Sequence, residues 1–402
     1  MTKTKIFVVG NGMASLRLLE ELVALAPHKF DICVAGEEAE PAYNRVLLSP
    51  LLAGEIGAVD VAMKPRDWYA ANGITLLTGV KVLSLDGTAK SATLSDGRNI
   101  SFDICVLATG SSPIRLPIPG NDLSGVEVFR SLADIDRLSP LAMRDEPAVV
   151  IGGGLLGIEA AYGLMRAGAR VTLIHIMDRL MERQLDASAA VLLKDALQAK
   201  GIGVCLSAET ETISGGGKVQ SVTLRDGRMI KTARVVMAAG VRPNIALAQN
   251  TDIACRRGFI VDDQMQTSVP GIYAIGECAE HRGSVYGLVE PAYEHAAVAA
   301  RALCGMDGQY EGTVLATNLK VSGVPVFSAG DFEGAGDEHI VWHDSAQGSY
   351  RKFVVRTGQL MGVVLIGDTT DALWYRDLIR SGTSIAHHRA TLAFGRGYAE
   401  AA

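Results

Sequence analysis

The sequence predicts an α/β chain: two parallel-sheet units of the same internal order, then a smaller α+β region. Three observations predict it. A strand, a glycine turn and a helix run through residues 6–23; a second such run occupies 148–161; and each is followed by a hairpin and then a strand ending in glycine. Units of that kind are Rossmann-like dinucleotide-binding domains.

In the first unit, Ile6, Phe7, Val8 and Val9 read as a buried parallel strand, because no polar residue alternates with the apolar ones. Gly10 and Gly12 allow a tight turn and a close backbone approach. Residues 15–23 then carry apolar side chains at helical spacing. Met13, Ala14 and Ser15 lie where the turn meets that helix, whose unpaired N–H groups and dipole suit a pyrophosphate. Ser15 takes the third glycine position of G-x-G-x-x-G and lets the helix near the strand less closely. A strand over 31–35 leads to Gly36, Glu37 and Glu38, which puts an acid about 25 residues past Gly12, where this fold takes a ribose hydroxyl. Arg45 lies in a loop leading to a short helix; it is either a partner for a cofactor phosphate, through its donor fork, or a solvated cation. Residues 74–85 read as strand pieces, 92–100 as a hairpin turning at Asp96-Gly97, and 104–110 as a buried strand ending in Ala108-Thr109-Gly110.

The second unit carries the full fingerprint at Gly152, Gly154 and Gly157, with Leu155 and Leu156 in the first helical turn. Its next strand ends at His175, close to the spacing of about 20 residues at which the fold places a ribose-binding acid. A hairpin over 222–230 and a strand ending at Gly240 follow, and the interval from Gly97 to Gly110 equals that from Gly227 to Gly240. This is an internal duplication, and two fingerprints in register imply two nucleotide sites facing each other. Beyond it, residues 267–279 form a strand that delivers Gly276-Glu277, and Pro291 opens an alanine-rich helix over 292–304. A short helix is expected over 133–138, a strand–turn–strand over 350–366, a helix over 371–381 and a poorly fixed tail over 383–402. The expected domains are 1–112 with 245–311, 113–244, and 312–402.

Composition narrows the function classes. Of 402 residues, 48% are hydrophobic and 20% charged, enough for sizeable cores. A net charge of −6 offers no basic face for nucleic acid. No apolar run reaches membrane-spanning length. The six cysteines are scattered without a C-x-x-C pair, so free thiols, no metal site and a cytoplasmic location are expected. With a first strand beginning this early, no signal peptide is expected.

Gly10-x-Gly12, Ala108-Thr109-Gly110, Gly152-x-Gly154-x-x-Gly157, the run from Gly240 to Asn244 and Gly276-Glu277 together resemble the two-domain flavoproteins of the pyridine nucleotide-disulfide oxidoreductase superfamily. The strings at 43–45, 175–186, 275–279, 286–289 and 317–323 are most similar to the FAD/NAD portion of assimilatory nitrite reductases and to the reductase subunit of bacterial assimilatory nitrate reductases. The resemblance covers nearly the whole chain. It implies FAD on the first unit and NADH, with NADPH possible, on the second. It assigns Glu37 or Glu38 to the adenosine ribose, Val82 and Ala108-Thr109-Gly110 to the adenine side, and Glu277 to the ribityl chain. Glu159 would contact the nicotinamide amide; the alternative is an ordinary acid in a first helical turn. His175 departs from the usual acid, though a neutral imidazole can still accept from a ribose hydroxyl and a protonated one could tolerate a 2′-phosphate. No redox-active cysteine pair stands where the disulfide branch keeps one, and Cys278 reads as a buried core thiol. The implied activity passes electrons from NADH through FAD to a redox partner, the catalytic subunit of a nitrate or nitrite reductase, with the iron–sulfur and sirohaem domains expected on another polypeptide. The C-terminal region would cover the flavin's far side or dock that partner. A ferredoxin or rubredoxin reductase or an NADH oxidase would share every nucleotide motif; a non-catalytic FAD-binding sensor is the other alternative, and two intact glycine motifs stand against it.

Overall fold

The computed structural model describes residues 3–138, 145–249, 251–319 and 323–399. They form two compact units.

The first unit comprises Met1–Leu47, Gly57–Ser112 and Val241–Thr313. Its centre is a five-stranded sheet in the order Ile272–Ala274, Ile104–Leu107, Thr4–Val9, Phe30–Gly36, Ile74–Thr78, with every pairing parallel. Phe7 and Val8 are fully buried, as the unbroken apolar run requires of a central strand. Helices Met13–Leu25 and Val289–Leu303 pack side by side. Leu16, Leu19 and Leu22 of one and Ala296, Ala299 and Ala300 of the other are buried, and the small alanines permit the close approach. An antiparallel meander, Val82–Asp86, Ser91–Leu94, Asn99–Ser101, completes the duplicated pattern.

The second unit comprises Leu48–Ile56, Pro113–Gly240 and Val314–Ala402. Its parallel sheet runs Gly203–Cys205, Arg170–Ile174, Pro147–Ile151, Arg234–Met237, Val126–Val128. The order matches the first sheet, except that the strand beyond Arg234–Met237 comes from before the glycine turn in sequence, whereas Ile272–Ala274 comes from long after it. A second meander, Thr210–Ser214, Ser221–Leu224, Met229–Lys231, repeats the first, down to a register shift between its first strand's opening residues. The C-terminal part is an antiparallel sheet, Ala316–Leu319, Val326–Gly330, Gln359–Ile366, Ser349–Arg356, Glu338–Asp344, covered by helix Ala372–Ser381 through Phe353, Val363 and Tyr375.

Several details differ from expectation: the strand expected over 267–279 is only Ile272–Ala274, and residues 241–244 group with the first unit. Leu48–Ile56 groups with the second unit, because helix Leu48–Leu52 packs on helix Leu155–Arg166, where the bare Gly163 leaves room for Leu52. The short helix is Leu132–Arg137, started one residue early by a capping box at Ser131. Residues 383–399 are no loose tail: Ile385 and Leu392 are buried in the C-terminal core, and Tyr375 and Arg351 donate to the Leu392 and Ala393 carbonyls. Residues 320–322 of the string at 317–323 lie outside the described residues. Among the described residues no helix is long and apolar enough to cross a membrane.

Candidate functional site

Each unit carries one glycine turn at the head of its central strand. Gly10 N–H donates to Ala35 O at 2.7 Å and Gly152 N–H to Ile174 O at 2.8 Å. Their φ values are +103° and +124°, and a methyl group on either would lie 2.2 or 2.3 Å from the carbonyl oxygen of Ala108 or Ala238. Glycine is therefore obligatory at both. Gly12 and Gly154 are the N-caps of the following helices. Neither helix has a side-chain cap or an acidic residue in its first turn, and a Cβ on either glycine would meet nothing within 4 Å. The first-turn residues Met13, Ala14 and Ser15, and Leu155, Leu156 and Gly157, thus sit at uncapped helix starts with open space before them, which fits a pyrophosphate at each turn. A Cβ at Gly157 would lie 1.7 Å from Gly152 O. Ser15 carries one in the first unit; it is buried, with no hydrogen-bond partner for its hydroxyl among the described residues.

At the strand ends of the first unit, Thr109 Oγ1 donates to Asn244 O at 2.7 Å and Asn244 Nδ2 donates to Thr109 O at 2.9 Å, which fixes Ala108-Thr109-Gly110. Ser111 Oγ donates to Glu277 Oε2 at 2.6 Å. Gly276 turns the chain at φ +75°, and its N–H donates to Nδ1 of the fully buried His295 at 3.3 Å. Burial, with the nearby His281, pushes the His295 imidazole down to about 4. Cys278 is buried, its thiol donating to Leu107 O and Ile275 O, and burial raises its pKa; it is a core thiol. Val82 is buried at the start of its strand. The acids after Gly36 separate. Glu37 is exposed and paired with Lys81 at 2.9 Å. Glu38 accepts from Tyr43 OH at 2.5 Å and pairs with Arg45, which also donates to Tyr43 OH at 2.7 Å and lies 4.8 Å from the Tyr43 ring. Arg45 is therefore no solvated cation.

In the second unit Glu159 lies on helix Leu155–Arg166, where its carboxylate accepts from Ser49 Oγ at 3.2 Å. Burial pushes it up to about 7, against the lowering effect of that hydroxyl. Gly240 turns at φ +108° and accepts from Ile114 N–H at 2.9 Å. His175 requires a correction. Its Nδ1 accepts from Gly153 N–H at 3.0 Å and its Nε2 lies 3.0 Å from Glu182 Oε2. A neutral ring so placed has no lone pair left to accept from a ribose hydroxyl.

Ser49, Glu182 and His295 escaped the sequence reading. Each acts across a loop or between elements, and no periodicity marks such a position. A serine four residues past Arg45 and an acid seven past His175 carry no local signal.

The pattern described as "Pyridine nucleotide-disulphide oxidoreductase" matches residues 4–302, and that of the "Rubredoxin NAD+ reductase C-terminal domain" matches 316–383. An NAD(P)H nitrite reductase of Bacillus subtilis is 46% identical over 92% of this chain and 46% of its own length. The assimilatory nitrate reductase electron transfer subunit of the same organism is 44% identical over 92% of this chain and 48% of its own. The chain spans about half the length of these curated relatives. Among solved structures, the covalent putidaredoxin reductase–putidaredoxin complex aligns with a TM-score of 0.88 and 25% identity, covering 96% of this chain and 94% of that one. With matched patterns over most of its length and two glycine turns shaped for dinucleotides, the chain belongs to the pyridine nucleotide-disulphide oxidoreductase family, as an FAD- and NAD(P)H-binding oxidoreductase.

Proposed function

We propose that this chain takes reducing equivalents from NADH and relays them, through FAD, to the catalytic component of a nitrate or nitrite reductase. The observation that carries this is the pair of uncapped, glycine-opened helix starts in a duplicated frame, on a chain similar to a nitrate reductase electron transfer subunit. When bound, FAD would supply the redox chemistry, as hydride acceptor and onward electron donor. The protein's part is to bind, orient and exclude water. The amides opening the helix at Met13 hold the FAD pyrophosphate, and those at Leu155 hold that of NADH. Glu37, at the exposed strand end, takes the FAD ribose, while Glu38 braces Tyr43 and Arg45. Val82 and Ala108-Thr109-Gly110 line the adenine side. Glu277, oriented by Ser111 and by the His295-held turn, takes the ribityl hydroxyls. Glu159 accepts from the nicotinamide amide. The C-terminal region over 312–402 docks the partner, and the chain works in the cytosol, where its free thiols stay reduced.

Anaerobic addition of NADH to the FAD-loaded protein should bleach the visible flavin band. A native pull-down should then retain a protein carrying molybdenum or haem. Full flavination without bleaching overturns the hydride step. A second reading, reduction of a small rubredoxin-like acceptor, has the match over 316–383 behind it; capture of such a protein instead would favour it.

A further inference from the structure

The loop after His175 is built as a rigid piece against the second glycine turn. Met181 N–H donates to Gly153 O at 3.0 Å while Gly153 N–H donates to His175, so the turn is clasped from both sides. A methyl group on Gly153 would lie 2.6 Å from His175 Cγ and 2.8 Å from Leu180 Cδ2. Leu180, Met181 and Leu185 are fully buried. The loop's far end is pinned as well: Asp186 caps helix Ala187–Ala199 through Ala189 N–H at 3.0 Å and accepts from Tyr350 OH at 2.8 Å.

Glu182 sits between these anchors. Since His175 Nδ1 is an acceptor, the neutral ring carries its proton on Nε2 and donates it to Glu182. The Glu182 side chain is 24% exposed, and its second oxygen has no hydrogen-bond partner among the described residues. A carboxylate is thus presented at the strand end where this fold takes the adenosine ribose. Two cations lie on the same loop. Arg179 lies 3.4 Å from Asp178 and 3.5 Å from Glu333, flanked by two carboxylates. Arg183 is exposed on the same turn and is the rival receptor for a 2′-phosphate.

We propose that Glu182, held by His175, is the specificity-determining residue of the nucleotide site and selects NADH over NADPH. The carboxylate accepts from the ribose hydroxyls of NADH and repels a 2′-phosphate in the same place. His175 is a positioning residue. It replaces the usual strand-end acid with a relay that borrows the carboxylate from the following loop. The proposal rests on the second unit binding a pyridine nucleotide.

Calorimetric titration of the flavin-loaded protein with ADP-ribose and with its 2′-phosphate tests it without turnover. Wild type should bind ADP-ribose at least about tenfold more tightly. Glu182→Gln should bring the two affinities within a few fold, mainly by improving binding of the 2′-phosphate, and Glu182→Lys should invert the order. His175→Gln should narrow the ratio too while the flavin content stays unchanged, which a merely structural role would not produce. Equal affinities in wild type, or a ratio unmoved by both Glu182 variants, overturns this proposal alone. So does a 2′-phosphate preference that Arg183→Ala abolishes. Failure of wild type to bind either ligand overturns the nucleotide reading beneath it as well.

Discussion

In the first unit Asn11 fills the middle of the glycine turn and Gly36 ends the adjacent strand; in the second, Gly153 fills the turn and His175 ends the strand. The backbone frames are the same, since Gly10 donates to Ala35 and Gly152 to Ile174, the residues just before Gly36 and His175. A Cβ at Gly36 would lie 2.9 Å from Asn11 Cβ, and one at Gly153 2.6 Å from His175 Cγ. Each turn therefore has room for one side chain between strand end and turn, and the two copies fill it from opposite sides. The consequence is chemical. The first copy keeps its strand end bare and sends its acids, Glu37 and Glu38, farther along the chain. The second plants an imidazole there and reaches a carboxylate through it.

The third glycine position offers the sharpest way to break this comparison. Gly157 has a carbonyl oxygen 1.7 Å from where its Cβ would be, while Ser15 already carries a Cβ at the matching place. Gly157→Ala should therefore cost on the order of 2–4 kcal/mol and abolish nucleotide binding, because the helix must move off the strand. Ser15→Ala should be neutral or stabilising, within about 1 kcal/mol, since it removes a buried hydroxyl with no hydrogen-bond partner among the described residues. Thermal melts of both variants, with NAD+ titration of the first, check this. Equal losses would mean that the two helices seat alike after all.

Each unit also carries a group whose titration desolvation shifts far from its ordinary range, and their pH responses should oppose. Glu159 is raised from 4.5 to about 7. Between those values the unfolded chain is ionised while the folded group keeps its proton, so its contribution weakens as pH rises through that window. His295 is lowered from 6.5 to about 4. There the unfolded chain gains a proton that the folded ring refuses, so stability falls as pH drops through 6.5 toward 4. Glu159→Gln should remove the first slope and His295→Leu the second, read as melting temperature against pH. His295→Leu should also loosen FAD, because Gly276 loses its acceptor. Unchanged slopes in both variants would show that neither group titrates with folding.

Much of this was legible in the sequence, for reasons particular residues make plain. The strands around Val8 and Val149 are buried on both faces and read as unbroken apolar runs, and the turn glycines are forced by the carbonyls that end the neighbouring strands. Those constraints are local, or repeat in the chain, so spacing reveals them. What failed was non-local. Leu48–Ile56 follows the second unit because Gly163 admits Leu52, and residues 383–399 are ordered because Tyr375 and Arg351 hold their carbonyls. The departure from pattern at His175 is readable in the sequence, but its partner Glu182 lies on a loop whose path no periodicity encodes.

The smallest expected effect concerns the hairpins, where the copies agree most closely. Gly97 and Gly227 turn at φ +86° and +87°. Arg98 N–H donates to Asp96 Oδ1 at 3.1 Å and Arg228 N–H to Asp226 Oδ1 at 3.0 Å, and the guanidinium of each returns to the other carboxylate oxygen. Both pairs stand in solvent, where salt and water screen the charge and the backbone acceptor does the local ordering. Asp96→Asn and Asp226→Asn each keep a side-chain carbonyl for the arginine N–H. Neither should shift the melting temperature measurably, at low or high salt. A salt-dependent loss confined to one copy would show that its hairpin meets a charge the other does not, and so mark the first divergence between the two frames that the turn chemistry itself does not impose.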